Sequence, residues 1–387
     1  MRKAARKRGW KKGIVIIISV FLILALGYGI FAIIASYRMS LLPAMSFEEM
    51  LGYTTKNRKD ALITVGIVDK DGASFTVYGE NATVLPSHEY KYEIGSITKT
   101  FTTSLLCKAI YDGKAKLSDS IARYIELPSK EYYPSFQRLV THTSGYRSYY
   151  FDWQSVVNFF NGGKNYFYGI NTGTLHKQIG RISLEDKDYP FAYSNFGISV
   201  VGSALAGVYG RDFTTLMNDF IKTDLRLDNT VISDGTGDLQ GYWPWKPDDG
   251  YIPAGAIIST ISDMMNYLQL HMREELPYLS MSHEPLARVS TAKRYEELGI
   301  RIDATGIGWM IDAKNNLIWH NGGTSKFNSY LAFDKEKQLG VIILSNLPPG
   351  YRIPATIMGA KLITELQNKG DEGMERQEDI FRGGEKE

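Results

Sequence analysis

Tyr92-Glu93-Ile94-Gly95-Ser96-Ile97-Thr98-Lys99 leaves a strand-like apolar pattern through a glycine and enters an apolar helical one. The helix is expected from near Ser96 to near Gly113, with Ile97, Phe101 and Leu105 at four-residue spacing on one face. Ser96 and Lys99 then stand three apart at a helix start, where both side chains can point to one side. A serine hydroxyl is a weak nucleophile until a base takes its proton. A lysine one turn away can help if burial lowers its pKa. The free N–H groups and positive end of the helix favour an anion there. Spacing alone decides little, because Ser290-Thr291-Ala292-Lys293 repeats it. That second copy lacks the glycine strand exit and the following apolar helix, and reads as a surface accident.

Outward from this stretch, Ala61–Val68 and Ala73–Tyr78 are β-rich runs joined by Asp69-Lys70-Asp71-Gly72, a hairpin pattern with an Asp-Gly turn. From about Leu117 to Tyr278, short helical patterns alternate with loops rich in Gly, Asn, Tyr and Trp. Gly306–Asp312, Leu317–His320, Ser329–Asp334 and Gly340–Ser345 read as short strands, and Pro354–Leu366 as a helix. Val341-Ile342-Ile343-Leu344 is a continuous apolar run, as expected of a strand buried on both faces. The polar stretch Gln367–Glu387 is expected to be disordered. The predicted fold class is α/β (α+β). First and last strands share one antiparallel sheet flanked by helices, beside a mostly helical lobe, with one transmembrane helix in front. A site is expected where sheet and lobe meet.

Of the 387 residues, 44% are hydrophobic and 22% charged, which excludes a mainly disordered chain. The single cysteine, Cys107, excludes an internal disulfide framework and a cysteine-based zinc cluster. In its apolar helical stretch it reads as a small buried hydrophobe. The net charge of +2 hides an uneven distribution: seven basic residues lie within Arg2–Lys12, leaving 37 basic against 42 acidic elsewhere. A nucleic-acid binder would carry its positive charge on the folded domain. Here the charge precedes Gly13–Ala35, an uncharged apolar stretch spanning roughly 35 Å as a helix against a hydrocarbon core of about 30 Å. The expected organisation is a basic cytoplasmic tail (1–12), a transmembrane helix (13–35), a connector (36–46), a globular domain (47–366) and a polar tail (367–387). The positive-inside rule places the domain outside the cell membrane. A cleaved signal peptide would have a shorter apolar region, about 7–15 residues, and a small-x-small site.

Two further motifs follow. Tyr193-Ser194-Asn195 offers a phenol that neighbouring cations could bring below its usual pKa of about 10, and an amide that could bind a substrate carbonyl and orient the lysine. With 25 tyrosines in the chain, such a tripeptide alone is more often structural. Trp319-His320-Asn321-Gly322-Gly323-Thr324 sets adjacent glycines in a strand-rich region, where a substrate backbone can lie against a strand edge. A free N–H there could join that of Ser96 in holding an oxyanion. Alone, it reads equally well as a Gly-Gly turn with a surface histidine. No metal-ligand spacing, phosphate loop or dinucleotide fingerprint occurs, so no metal and no cofactor are expected.

Together these segments resemble the serine β-lactamase and penicillin-binding-protein superfamily, in the branch similar to class C β-lactamases and D-Ala-D-Ala carboxypeptidases. The resemblance runs from about Phe47 to Leu366. It includes Tyr92–Lys99, Asp112-Gly113-Lys114 with Leu117-Ser118-Asp119, Leu139–Gly145, Tyr193-Ser194-Asn195, Ala254-Gly255-Ala256, His320–Gly323 and the Gly340–Asn346 strand. It implies a β-lactamase/transpeptidase-like fold and an acyl-enzyme on Ser96, with Lys99 and Tyr193 sharing proton transfer. It implies that Asn195 contacts the substrate amide and Lys99. The N–H groups of Ser96 and Gly323 would form the oxyanion hole, with His320 and Gly322 on the substrate-binding strand.

Related enzymes often carry lysine, in a Lys-Thr-Gly motif, where this chain has His320. An unperturbed histidine, pKa about 6.5, is mostly neutral at about pH 7.5, so weak attraction for a substrate carboxylate and low β-lactamase activity are expected. No equivalent of a glutamate-activated deacylating water is found in Leu175–Pro190. His142, in a Thr-His-Thr-Ser-Gly turn, is a candidate triad histidine for Ser96, but the resemblance implies a structural turn residue. Tyr146, Tyr149, Tyr150, Phe151 and Trp153, and likewise Trp243 and Trp245, read either as an aromatic rim or as core.

The sequence therefore leads to a single-pass, outward-facing serine hydrolase acting on D-alanyl peptide or ester bonds of the bacterial cell envelope. β-Lactams are further candidate ligands, and no nucleic-acid partner is expected. A β-lactamase is the enzymatic alternative. A catalytically silent module that binds penicillin or cell-wall fragments is the alternative from another class, and the joint presence of Ser96, Lys99 and Tyr193 argues against it.

Overall fold

The computed structural model describes residues 40–160 and 165–383. The expected cytoplasmic tail and membrane segment 13–35 lie outside the described residues. Among those described, no helix is long and apolar enough to cross a membrane. Phe47–Glu387 packs as one unit, distinct from the residues before it.

The Asp-Gly turn builds the first hairpin as its chemistry dictates. Asp69 Oδ1 accepts from the Asp71 and Gly72 amides at 2.8 and 3.0 Å. Strand β1 (Ile63–Val68) thereby pairs with β2 (Ala73–Tyr78), Val68 opposite Ala73. β3 (Val84–Leu85) extends this edge, while β4 (Tyr92–Glu93), β5 (Val231–Ile232) and β6 (Ile257–Ser259) form a small second sheet in the order β4-β6-β5. β7 (Ala287–Arg288), β8 (Ala304–Thr305), β9 (Met310–Asp312), β10 (Leu317–Gly323), β11 (Asn328–Asp334) and β12 (Leu339–Ser345) complete the set. The main sheet runs β3-β2-β1-β12-β11-β10-β9-β8-β7 and is antiparallel throughout.

β12 lies against β1, so the two ends of the domain meet mid-sheet. Val341–Leu344 is fully buried because helices cover both faces there. Gly340 meets Leu268 of the helix Ile261–Met272, and Tyr330 on the opposite face meets Gly359 of the C-terminal helix. A serine, asparagine, aspartate or threonine caps each of several helices in the lobe and around it: Ser135, Asn171, Ser194, Asp212 and Thr260 each accept from a first-turn amide.

Two expectations are corrected. Gly306–Asp312 is not one strand, because Gly308 takes φ +79° and the Gly306 amide bonds back to the Trp309 carbonyl: Gly306–Trp309 is the turn between β8 and β9, and only Met310–Asp312 is strand. The tail is not structureless, because the last helix runs Ala355–Gly383. The Glu, Gln, Lys, Arg and Met of that stretch are strong helix formers that carry on a helix already nucleated by packing.

Candidate active site

Ser96 sits on a 3₁₀ turn, Gly95–Ile97, that feeds the helix Thr98–Tyr111. The helix is buried nearly all round, and its threonine hydroxyls are satisfied locally or by neighbours. Thr100 donates to the Ile97 carbonyl, Thr103 to that of Thr100 and Thr102 to that of Pro253. Cys107 is fully buried, and burial pushes its thiol pKa up, so it is an inert part of the core. Gly95 holds φ +52°, and a Cβ there would overlap the Gly323 backbone nitrogen. A Cβ at Gly322 would overlap the Ile94 carbonyl oxygen. These glycines let the end of β10 touch the Ser96 turn, which brings the Gly323 amide beside Ser96. Ser329 donates to the Ile94 carbonyl at 2.8 Å and pins the turn to the sheet.

Lys99 is fully buried, its Nζ 2.8 Å from Ser96 Oγ and 2.6 Å from the Ala254 carbonyl oxygen. Burial pushes its pKa well below the usual lysine value. A neutral amine has two N–H groups and one lone pair. With one N–H on Ala254, the lone pair is available to Ser96. Tyr193 is hydrogen-bonded to Ser96 through its hydroxyl, and its ring centre is 5.0 Å from Lys99 Nζ. Burial moves its pKa up, not down. The expected lowering by a neighbouring cation is not what sets its pKa; burial is.

Two histidines complete the floor. His320 is fully buried; its Nδ1–H donates to the Asn321 carbonyl at 2.7 Å, leaving Nε2 as a bare acceptor without a partner. Burial lowers its pKa to about 3. His142 accepts the Ser194 amide on Nδ1 at 3.2 Å, and its ring centre is 4.7 Å from that of Tyr193. It holds φ +58°, and burial lowers its pKa to about 3. His142 is thus a positioning residue for the Tyr193-Ser194 turn, not a triad base for Ser96. Asn195 donates to Ser148 Oγ at 3.0 Å. The expected Asn195–Lys99 hydrogen bond is not made among the described residues: the Asn195 amide turns to Ser148, and Lys99 bonds to Ser96 and Ala254.

Phe167, Trp243, Trp245 and Tyr251 wall a narrow cleft of about 60 Å³ over Ser96, with Asn195 and Gly323 at its edge. Trp243 and Trp245 are therefore rim and core at once. Tyr146 is core, whereas Tyr149, Phe151 and Trp153 are exposed. Among the described residues, no group of three or more His, Cys, Asp or Glu could hold a metal ion.

The family model described as Beta-lactamase matches residues 64–357. The chain belongs to the beta-lactamase family. The D-alanyl-D-alanine-carboxypeptidase/endopeptidase AmpH of Escherichia coli (strain K12) is 23% identical over 330 residues, 78% of this chain and 83% of that protein. Protein flp of Staphylococcus aureus (strain MW2) is 23% identical over 285 residues, 67% of this chain and 54% of its own, so the chain spans about half the length of that relative. Among solved structures, a beta-lactamase/D-alanine carboxypeptidase from Yersinia pestis superposes with a TM-score of 0.65 at 19% identity, covering 85% of this chain and 97% of that one. A class C beta-lactamase from Rhodobacter sphaeroides gives 0.62 at 20%, covering 84% and 99%. At these identities the likeness shows the beta-lactamase fold.

Within this family framework, three contributors lacked a role in the sequence reading. The Ala254 carbonyl carries no side-chain signal. Ser148 is an ordinary serine in a tyrosine-rich loop. Glu93 is buried and accepts from the Trp243 amide and from the Thr324 hydroxyl, tying the tryptophan loop to the exit of β10. An acid inside an apolar strand exit was the one signal that could have marked it.

Proposed function

We propose that this protein is a membrane-anchored serine hydrolase that acts through an acyl-enzyme on D-alanyl peptide or ester bonds of the bacterial cell envelope. The observation that carries this is Lys99 Nζ, buried and 2.8 Å from Ser96 Oγ. Ser96 Oγ attacks the carbonyl carbon while its proton passes to neutral Lys99. The Ser96 and Gly323 amides receive the oxyanion. The proton then goes to the leaving D-alanyl nitrogen or to the polymer oxygen, Tyr193 relaying it as a neutral phenol. Water reverses these steps to release the acyl group. Asn195 lines the cleft where a substrate amide would lie.

Basic residues 2–12 followed by the uncharged segment 13–35 support an anchor with the domain outside the cell. The neutral His320 disfavours a β-lactamase built to grip a carboxylate. The test is mass spectrometry of cell-wall polymers incubated with the full chain or with Ser96→Ala. Release of D-alanine by the wild type alone is expected. No bond cut by either, with fluorescent penicillin labelling neither, would overturn the proposal in favour of a silent module.

A further inference from the structure

The helix Trp153–Phe160 is built inside out for a protein surrounded by water. Its buried side chain is Asn158, which donates to the Tyr166 and Tyr168 carbonyls at 3.2 and 2.8 Å and accepts from Gln154 at 3.0 Å. Its aromatic side chains face outward: Trp153 is 72% exposed and Phe160 79%. Of the twelve large hydrophobic side chains left exposed among the described residues, seven fall between Tyr149 and Tyr166. Polar groups fix the helix to the domain and aromatic groups point away, so the outward face is held in place by design of the inner one. Patches of this kind mark a partner surface.

Only the two ends of the segment reach the rim of the cleft, and Phe159 and Phe160 do not line it. The segment begins at Ser148, bonded to Asn195, and returns at Phe167, which walls the cleft and stacks on Tyr251 with ring centres 4.2 Å apart. Between Tyr149 and Phe160 the only charge is Asp152, while the exposed cations Arg147 and Lys246 flank the segment, Lys246 at 5.2 Å from the Tyr168 ring centre. Tyr, Trp and Phe beside Lys and Arg are the residues that settle at a bilayer interface with anionic headgroups. A sugar-stacking platform would set hydrogen-bonding groups among its rings; here Gln154 and Asn158 are turned inward. Residues 36–46, between the apolar stretch and the domain, reach at most about 40 Å when fully extended. That is less than the diameter of about 40–50 Å expected for a domain of this length, so an anchored domain is never far from the bilayer.

We propose that the aromatic face from Tyr149 to Phe160 inserts into the membrane interface and turns the Ser96 cleft towards substrates anchored in that membrane. The substrate class is then a D-alanyl ester or peptide on a lipid-anchored polymer or precursor, not mature wall remote from the bilayer. This deepens the functional reading above and rests on its anchor.

The test uses the full chain in nanodiscs of phosphatidylcholine and phosphatidylglycerol. A nitroxide is placed at Trp153→Cys or Phe160→Cys, with Tyr111→Cys as the solvent-exposed control; the buried Cys107 does not compete for label. Greater relaxation by dissolved oxygen than by a nickel chelate is expected at 153 and 160, and the reverse at 111. Equal nickel accessibility at all three sites would overturn docking. So would label-to-label coupling at 160, which would make a second copy the occupant, or shielding of 160 by added soluble glycan strands without lipid. Independently, Phe159→Ser with Phe160→Ser should raise KM several-fold for a vesicle-borne D-alanyl ester and leave turnover of a soluble ester unchanged. The spin labels read docking without any turnover, so loss of the D-alanyl reading and loss of the docking proposal are separate results.

Discussion

Ser96–Lys99 and Ser290–Lys293 share a spacing and nothing else. The first pair stands on a turn held by glycines against β10, with the lysine fully buried and the hydroxyl and amine 2.8 Å apart. The second lies between β7 and a single helical turn, Lys293–Glu296, with Ser290 and Lys293 both exposed. Spacing selects which side chains can meet; burial decides whether the amine is a base when they do. An ammonium in water is already protonated and can take nothing from a hydroxyl, whereas a buried neutral amine can.

The largest effect expected from this contrast is at Lys99. Lys99→Met should lower kcat by about 10³–10⁴-fold towards any ester the wild type cleaves. Circular dichroism would check that the fold survives loss of the bond to Ala254. The pH profile carries the sign. Because folding depresses the Lys99 pKa, the active neutral amine is present above that lowered value and is lost as pH falls through it. The wild type should hold its rate through neutral pH and lose it in acid. A rate that begins to rise only near pH 10.5, the ordinary lysine value, would contradict a buried neutral base.

How much of this was legible in the residues follows from the same contrast. The hairpin, the β12 run and the order of elements could be read, because periodicity and an Asp-Gly turn are local signals. So could the meeting of Ser96, Lys99 and Tyr193, through motifs in one order. The direction of the Tyr193 shift could not, since it is set by burial of the phenol, a property of the tertiary structure. Nor could the partner of Asn195, because Ser148 arrives from a loop with no distinguishing pattern. Gly306–Asp312 read as one strand because its apolar residues hide a left-handed glycine. The inverted helix Trp153–Phe160 was visible only as aromatic composition, and only the inward bonds of Asn158 show which side faces out.

A middle-sized effect is expected at His320, where a lysine would sharpen the contrast by adding a cation to a dry floor that holds Lys99 as a neutral amine. His320→Lys should lower KM about tenfold for substrates with a free carboxylate, since a charge-assisted bond replaces a neutral acceptor. It should also lower Tm, because the new ammonium is buried near Lys99. In the wild type, His142 and His320 fall from 6.5 to about 3 on folding. Their depressed values mean that the unfolded chain gains protons first. Stability should be full above pH 6.5 and decline as pH falls towards 3. Thermal melts across that range measure it, and His320→Asn should make the decline shallower. An unchanged slope would mean that His320 is not held neutral.

The smallest effect is the most discriminating, because it asks whether the motif itself has any force away from its surroundings. Ser290→Ala with Lys293→Met removes an intact Ser-x-x-Lys from the chain. Both side chains are exposed, so surface rules apply and stability should move by no more than about 0.5 kcal/mol. The kcat, KM and pH profile should match the wild type, and fluorescent penicillin should label the variant as fully as its parent. Combining this variant with Ser96→Ala should leave no label at all. Residual labelling in Ser96→Ala that vanishes only when Ser290 is also changed would show the exposed copy to be reactive. In that case burial would no longer explain why one of two identical spacings performs chemistry, and the lowered pKa of Lys99 would lose its place in the mechanism.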